Sequence, residues 1–317
     1  MTGSKGMTAV RQGIFLTGGA ALTLALQWAA ALLGPLGFFA NLLVPLPAAY
    51  AQMRCGLAVG VGVAGLTAAA LVGGGNGDGA IAYLIQFGVA SVVLPLLLRR
   101  GWPWDRAVGG TLAVAVAVAG LTLGGYAVSR GASVSKLADG YVQSEVDSAL
   151  SIYQKTELPA EQRAELTAMA ERMGAFLKKA WPALAVVAIG AILLLTVLLL
   201  KALAAGRYDV SGLPLRFWSV PEVLIWPLIL AGFGMVFVRG ALQVAALNFL
   251  VLLVPLYFLQ GLAIIAYYFD RKSVPPFFRG LGYLLAAVLN PLPLIVTGMG
   301  VFDLWADFRK PRIKKKS

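Results

Sequence analysis

Apolar residues run along this chain in long uncharged blocks separated by short polar connections. The first is Ile14 to Leu33, long enough to cross a bilayer as one helix before Gly34-Pro35 removes a donor and fixes φ. Pro35 to Tyr50 is uncharged but short and carries Pro45 and Pro47, so a short or broken crossing or a re-entrant dip is expected there. Cys55 to Val72 follows and stops at the Gly73 to Gly79 glycine run, read as a loop too flexible to continue a helix. Ala80 to Leu98 returns, and Ala107 to Val128 crosses again after a connection holding Arg99, Arg100, Trp102, Trp104 and Arg106.

Ser129 to Lys179 breaks the pattern, with seven basic and seven acidic residues. Leu166, Met169, Met173 and Leu177 recur there at helical spacing, which predicts amphipathic helices outside the membrane. Pro159 suits the first turn of the second helix, which is placed to continue into the Ala180 to Leu200 span. Val223 to Val238 is the next span. Gly240 to Phe269 gives thirty uncharged residues, one long helix or two halves broken near Pro255. Gly280 to Phe302 carries Asn290, Pro291 and Pro293 at its centre. The expected fold is all-α, a polytopic transmembrane bundle of eight or nine segments. Its expected divisions are a core over 1–204 that includes the external insertion 129–179, C-terminal membrane helices over 205–308, and a basic cytoplasmic tail over 309–317.

Composition sharpens this reading. The chain is 59% hydrophobic and 13% charged, far from the roughly 25% charged of a soluble domain. Its net charge of +12 sits mostly in short connections and at the C-terminus, the pattern of membrane orientation rather than of nucleic-acid binding. With a cytoplasmic N-terminus, Arg54, the Arg99 to Arg106 connection and the Lys201 to Arg216 linker fall inside. A straight count of nine crossings would put the basic tail outside. A cytoplasmic C-terminus therefore requires Gly280 to Phe302 to be re-entrant or the thirty-residue run to cross twice. A single Cys55 excludes an internal disulfide, and the absence of His removes the commonest general base and metal ligand. No catalytic residue, metal site or cofactor is assigned, and an enzyme is not expected.

Candidate binding chemistry is limited to neutral amides. Gln27, Asn41, Gln86, Gln243, Asn248, Gln260 and Asn290 lie within spans, where each must pair across helices or line a cavity. Gln86, Asn248, Gln260 and Asn290 are the ligand-binding candidates. Gly56 with Gly60, and Ala21, Ala25 and Ala29 on one helical face, are candidates for close helix packing or docking of a partner. The tail Arg309 to Lys316 is suited to anionic lipid head groups.

Pro45-Leu46-Pro47 leading to Arg54-Cys55-Gly56, Asn248 followed by Leu256-Tyr257-Phe258-Leu259-Gln260-Gly261-Leu262, and Gly300-Val301-Phe302-Asp303 running to Asp307-Phe308-Arg309-Lys310 carry a resemblance. By these motifs the chain resembles the DUF2232 family of predicted bacterial membrane proteins over nearly its whole length. Its first six spans look like the substrate-binding S-components of energy-coupling-factor transporters. The resemblance implies a multi-pass protein of the bacterial cytoplasmic membrane and a small-solute binding or transport component. It also implies that Ala21, Ala25 and Ala29 could meet a coupling subunit in the membrane. The alternative is a structural or assembly protein that recruits another membrane partner through its external helices and tail.

Overall fold

The computed structural model describes residues 2–155 and 159–309, and every regular element among them is helical. Lys310 to Lys316, most of the expected tail, lie outside the described residues. Five helical stretches are long and apolar enough to cross a membrane: Ala9–Leu32, Gly77–Arg99, Trp104–Ser129, Glu161–Ala204 and Ala241–Arg271. A sixth is reached if the pair Pro276–Val288 and Leu292–Ala306, bent by 97° at its break, is one span. Leu57–Gly73 and Glu222–Phe237 are shorter apolar helices.

The helices fall into two compact units, one of Met1–Val134 with Ala188–Gly212 and the other of Ser135–Val187 with Leu213–Ser317. These boundaries differ from the sequence-based division at residue 204, because Lys179 and Ala183, at the end of the external insertion, bond to Asn248 in the C-terminal half.

In the first unit, α1 (Thr2–Leu32) is followed by α2 (Gly37–Leu43), α3 (Leu46–Cys55) and α4 (Leu57–Gly73). Gly56 joins α3 to α4 at φ +107°, a conformation open to glycine and strained for other residues. Helix α1 meets α4 where Gly19 faces Val63 and Gly62 faces Leu16, and Ala20 and Thr23 are buried on that side. The glycine run does not stay open as long as expected. Helix α5 (Gly77–Tyr83) begins inside it, because the Asn76 side chain accepts the Gly79 N–H at 2.9 Å and caps the first turn. A π-helical turn, Leu84–Gly88, joins α5 to α6 (Val89–Arg99), and α7 (Trp104–Ser129) follows.

Basic and aromatic groups gather at one end of this unit. Arg99 donates to the carbonyl of Gln52 at 2.5 Å, Arg54 donates to the Tyr50 hydroxyl at 2.8 Å, and the Trp104 N–H donates to the Ser211 carbonyl at 2.9 Å. Arg54 also lies over the rings of Phe15 and Tyr50. Burial pushes the Tyr208 hydroxyl up to about 12, so it remains a donor, to the Leu200 carbonyl at 2.6 Å.

The second unit holds α8 (Val134–Lys155) and the start of α9 (Ala160–Ala204). Helix α9 runs unbroken from the polar insertion into the apolar span, with Pro159 just before it. The insertion pairs through Gly174, whose missing side chain admits Val146, and through Lys178, which donates to Gln143 at 2.7 Å. Helices α10 (Ile225–Phe237) and α11 (Ala241–Arg271) form a hairpin closed where Gly234 meets Ala246. The thirty-residue run is thus one helix through Pro255. Helix α12 (Pro276–Val288) starts beside the end of α11, where Asp270 pairs with Arg279 at 3.8 Å and with Arg216 at 2.9 Å. Helix α13 (Leu292–Ala306) crosses α11 at Gly261 and Gly300, where a methyl on either would strike the other helix's backbone. It ends at the same end of α11, with the Tyr268 hydroxyl donating to the Phe308 carbonyl at 2.8 Å.

Candidate functional site

The bundle of the first unit must bury polar side chains somewhere, because several of its apolar runs contain hydroxyls. Gln52 on α3, Thr67 on α4, Tyr83 at the end of α5 and Ser91 on α6 are each at most 2% exposed. They belong to consecutive packed elements. Gln52 donates its amide to the Val92 carbonyl at 2.9 Å, next to Ser91, and its side chain fills the space left by the absent Cβ of Gly60. Thr67 sits two turns further along α4 and donates to the Val63 carbonyl at 2.8 Å. The Tyr83 hydroxyl faces both Thr67 and Ser91.

What sets this cluster apart is unused bonding capacity. Gln52 Oε1, the Tyr83 hydroxyl and Ser91 Oγ are all buried without a well-formed hydrogen bond, the Tyr83 hydroxyl lying near Thr67 and Ser91 but poorly aligned with them. A buried polar atom left unpaired costs about 1–3 kcal/mol, so folded proteins retain few of them without a reason such as water, a ligand or function. The π turn Leu84–Gly88 begins directly after Tyr83, and such turns occur frequently at functional sites. The cluster carries no charge. Its chemistry is that of hydroxyl and amide groups able to donate to and accept from a small neutral molecule or ordered water.

A second buried polar cluster, in the second unit, is saturated. Asp303, 1% exposed on α13, accepts from Arg309 at 2.6 Å, from Gln260 at 3.1 Å and from the Phe308 N–H at 3.2 Å. Arg309, 4% exposed, also donates to the carbonyls of Trp218 at 2.7 Å and Arg216 at 3.2 Å. Gln260 Oε1 accepts the Val220 N–H at 3.0 Å. The arrangement ties the chain after α13 to α11 and to the segment before α10. Arg309 is therefore not part of a lipid-facing tail: its charge is buried and paired within the fold.

The four amides expected to bind ligand are not assembled into one site. Gln86 lies exposed on the π turn of the first unit and Asn290 is exposed at the break between α12 and α13. Gln260 is spent on the Asp303 cluster. Asn248 donates to the Lys179 carbonyl at 2.8 Å and to the Val244 carbonyl at 2.8 Å, and accepts the Ala183 N–H at 3.2 Å. Pro182 interrupts the α9 ladder beside these groups, and Asn248 supplies partners there. Of the packing candidates, Gly60 is buried on Gln52 and Gly56 forms the α3–α4 turn, whereas Ala21 and Ala25 are exposed and Ala29 is half-buried. A reading confined to amides within the uncharged runs leaves out Thr67, Tyr83 and Ser91, and also Gln52, which lies between two runs. The signal available was hydroxyls within two successive uncharged runs, Thr67 in Cys55 to Val72 and Tyr83 with Ser91 in Ala80 to Leu98. Among the described residues, no group of three or more Cys, Asp or Glu side chains is placed to hold a metal ion.

Helices of spanning length and apolar character packed around buried polar clusters mark a helical membrane protein. The chain belongs to the DUF2232 family of predicted membrane proteins, whose profile matches residues 21–304. No curated protein and no solved structure matches the chain.

Proposed function

We propose that this protein is a non-enzymatic, multi-pass component of the bacterial cytoplasmic membrane that binds a small, uncharged or amphipathic solute through the Gln52, Thr67, Tyr83 and Ser91 cluster, as part of its uptake or transfer. The observation that carries this reading is the burial of the uncharged Gln52, Thr67, Tyr83 and Ser91 in the first unit, with Gln52 Oε1, the Tyr83 hydroxyl and Ser91 Oγ short of well-formed hydrogen bonds. A neutral ligand satisfies them without the desolvation cost of an ion. This role extends the sequence-based resemblance of the first six spans to substrate-binding S-components, which falls on the same unit. The exposed Ala21 and Ala25 leave that face of α1 open to a coupling subunit.

The experiment is to purify the protein in mild detergent and analyse extracted small molecules by mass spectrometry. Wild-type protein should carry a metabolite that Tyr83→Phe with Ser91→Ala loses, and adding it back should raise the melting temperature of wild type alone. An equal yield of every small molecule from both proteins would sink the proposal. The alternative, an assembly protein acting through its external helices, is favoured by the polar pairing of α8 with α9. It predicts that pulled-down partners disappear when 135–155 is replaced by a short linker.

For topology, eight crossings by α1, α2 with α3, α4, α5 with α6, α7, α9, α10 and α11, followed by a re-entrant α12–α13 pair, place both termini in the cytoplasm. This is supported by the start of α12 and the end of α13 both being tied to the Asp270 end of α11. It satisfies the positive-inside preference for the C-terminal residues. A fluorescent protein fused after Ser317 should be bright and an alkaline phosphatase fusion there inactive; the reverse result would refute it.

A further inference from the structure

In the second unit, a groove of about 380 Å³ lies between α9 and the α10–α11 hairpin, lined by Arg172, Phe176, Lys179, Met235, Val244 and Leu247 among others. Helical spacing explains one wall. Arg172, Ala175, Phe176 and Lys179 stand at i, i+3, i+4 and i+7, so they share a face of α9. The two cations are two turns, about 10 Å, apart along the axis and can converge on one anion through their flexible stems. The other wall is apolar apart from Gln243, whose amide donates to the Met235 carbonyl at 3.1 Å.

Three features give the groove a particular occupant. Arg172 and Lys179 are exposed and, among the described residues, form no ion pair, and no acidic side chain lines the groove. Lys179 is the last charge before the uncharged stretch from Ala180 to Leu200, and Arg239 is the last before the uncharged Gly240 to Phe269. The cations thus stand at the edge of the apolar zone, where phosphate head groups lie, and the apolar wall begins beside them. Finally, the walls are fixed before anything binds. Asn248 fastens α11 to α9 at Lys179 and Ala183, and Gly234 lets α10 close on Ala246.

We propose that this groove binds one anionic phospholipid, its head-group phosphate held between Arg172 and Lys179 and an acyl chain laid against Phe176, Met235, Val244 and Leu247. Such a lipid couples α9 to the α10–α11 hairpin at the membrane surface. A polar solute lacks the chain to fill the apolar wall, and a zwitterionic lipid offers no net charge to the two cations.

The test is native mass spectrometry of the full-length protein in detergent, titrated with phosphatidylglycerol or with phosphatidylcholine of the same acyl chains. Wild type should retain one phosphatidylglycerol in preference to phosphatidylcholine. Arg172→Gln with Lys179→Gln should weaken that retention about thirtyfold, taking each basic residue at the membrane surface at its usual worth. Arg172→Lys should keep it. Val244→Trp, which fills the apolar wall and leaves both charges, should also lower it. The charge-matched Arg100→Gln with Arg106→Gln should not. Equal retention of the two lipids, wild-type retention by both groove variants, an equal loss in the charge-matched control, or displacement of the lipid by inorganic phosphate would each overturn the proposal.

Discussion

The two buried polar clusters answer the same physical problem in opposite ways. In the second unit a full ion pair is buried, yet each charged group is hydrogen-bonded several times over. In the cluster of the first unit no side chain is charged, yet Gln52 Oε1, the Tyr83 hydroxyl and Ser91 Oγ lack well-formed hydrogen bonds. A saturated cluster has no capacity left for a ligand, so Asp303, Arg309 and Gln260 act as a clasp. An unsaturated one is an unfinished network. The more strongly polar site is therefore the saturated one, and the neutral cluster is the one proposed to bind.

Mutations can break this contrast at either end. The largest effect is expected from Asp303→Ala, which leaves Arg309 buried without its counter-charge and should cost about 3–5 kcal/mol, read as a large drop in melting temperature in detergent. Asp303→Leu combined with Arg309→Met should recover most of that loss, because an apolar pair replaces a fully desolvated one. Next comes Gly261→Ala, whose new methyl would lie 2.7 Å from Val296 Cγ1 and against backbone at the α11–α13 crossing; about 1–3 kcal/mol is expected in the same assay. Tyr83→Phe should have the opposite character. In ligand-free protein it should be neutral or stabilising by up to about 1 kcal/mol, since the hydroxyl it removes makes no well-formed hydrogen bond. A loss as large as that of Asp303→Ala would show that the first cluster is as structural as the second. The smallest effect is expected from Asp270→Asn. Its pairs with Arg216 and Arg279 are a third or more exposed, worth about 0.2–1 kcal/mol and weakened further by salt.

Some of this was legible before any tertiary contact was known. The uncharged runs, the amphipathic spacing of the insertion and Pro159 are local properties, and they place α7, α9 and α11 closely. The break at Asn290 was equally readable, because proline cannot continue a hydrogen-bond ladder. Helix α5 starts earlier than composition implies because an Asn76 cap outweighs the flexibility of the glycines around it. The binding candidates suffered more. Gln260 and Asn248 have the composition of cavity residues, and only their neighbours show that each is already committed.

By itself, then, the sequence determined that the chain is helical, that its helices are apolar enough for lipid, and roughly where each begins and ends. Those outcomes depend on hydrophobicity and backbone bonding within a single segment, which local composition sets. Tertiary structure alone decided which polar groups find partners. Arg309 reads as the first residue of a basic tail until Asp303 and the Trp218 carbonyl enclose it. Tyr83 and Ser91 read as ordinary span residues, and Gln52 as part of a connection, until packing buries them. Hydrogen-bond saturation is a property of pairs brought together from distant positions in the chain, and no single segment contains it.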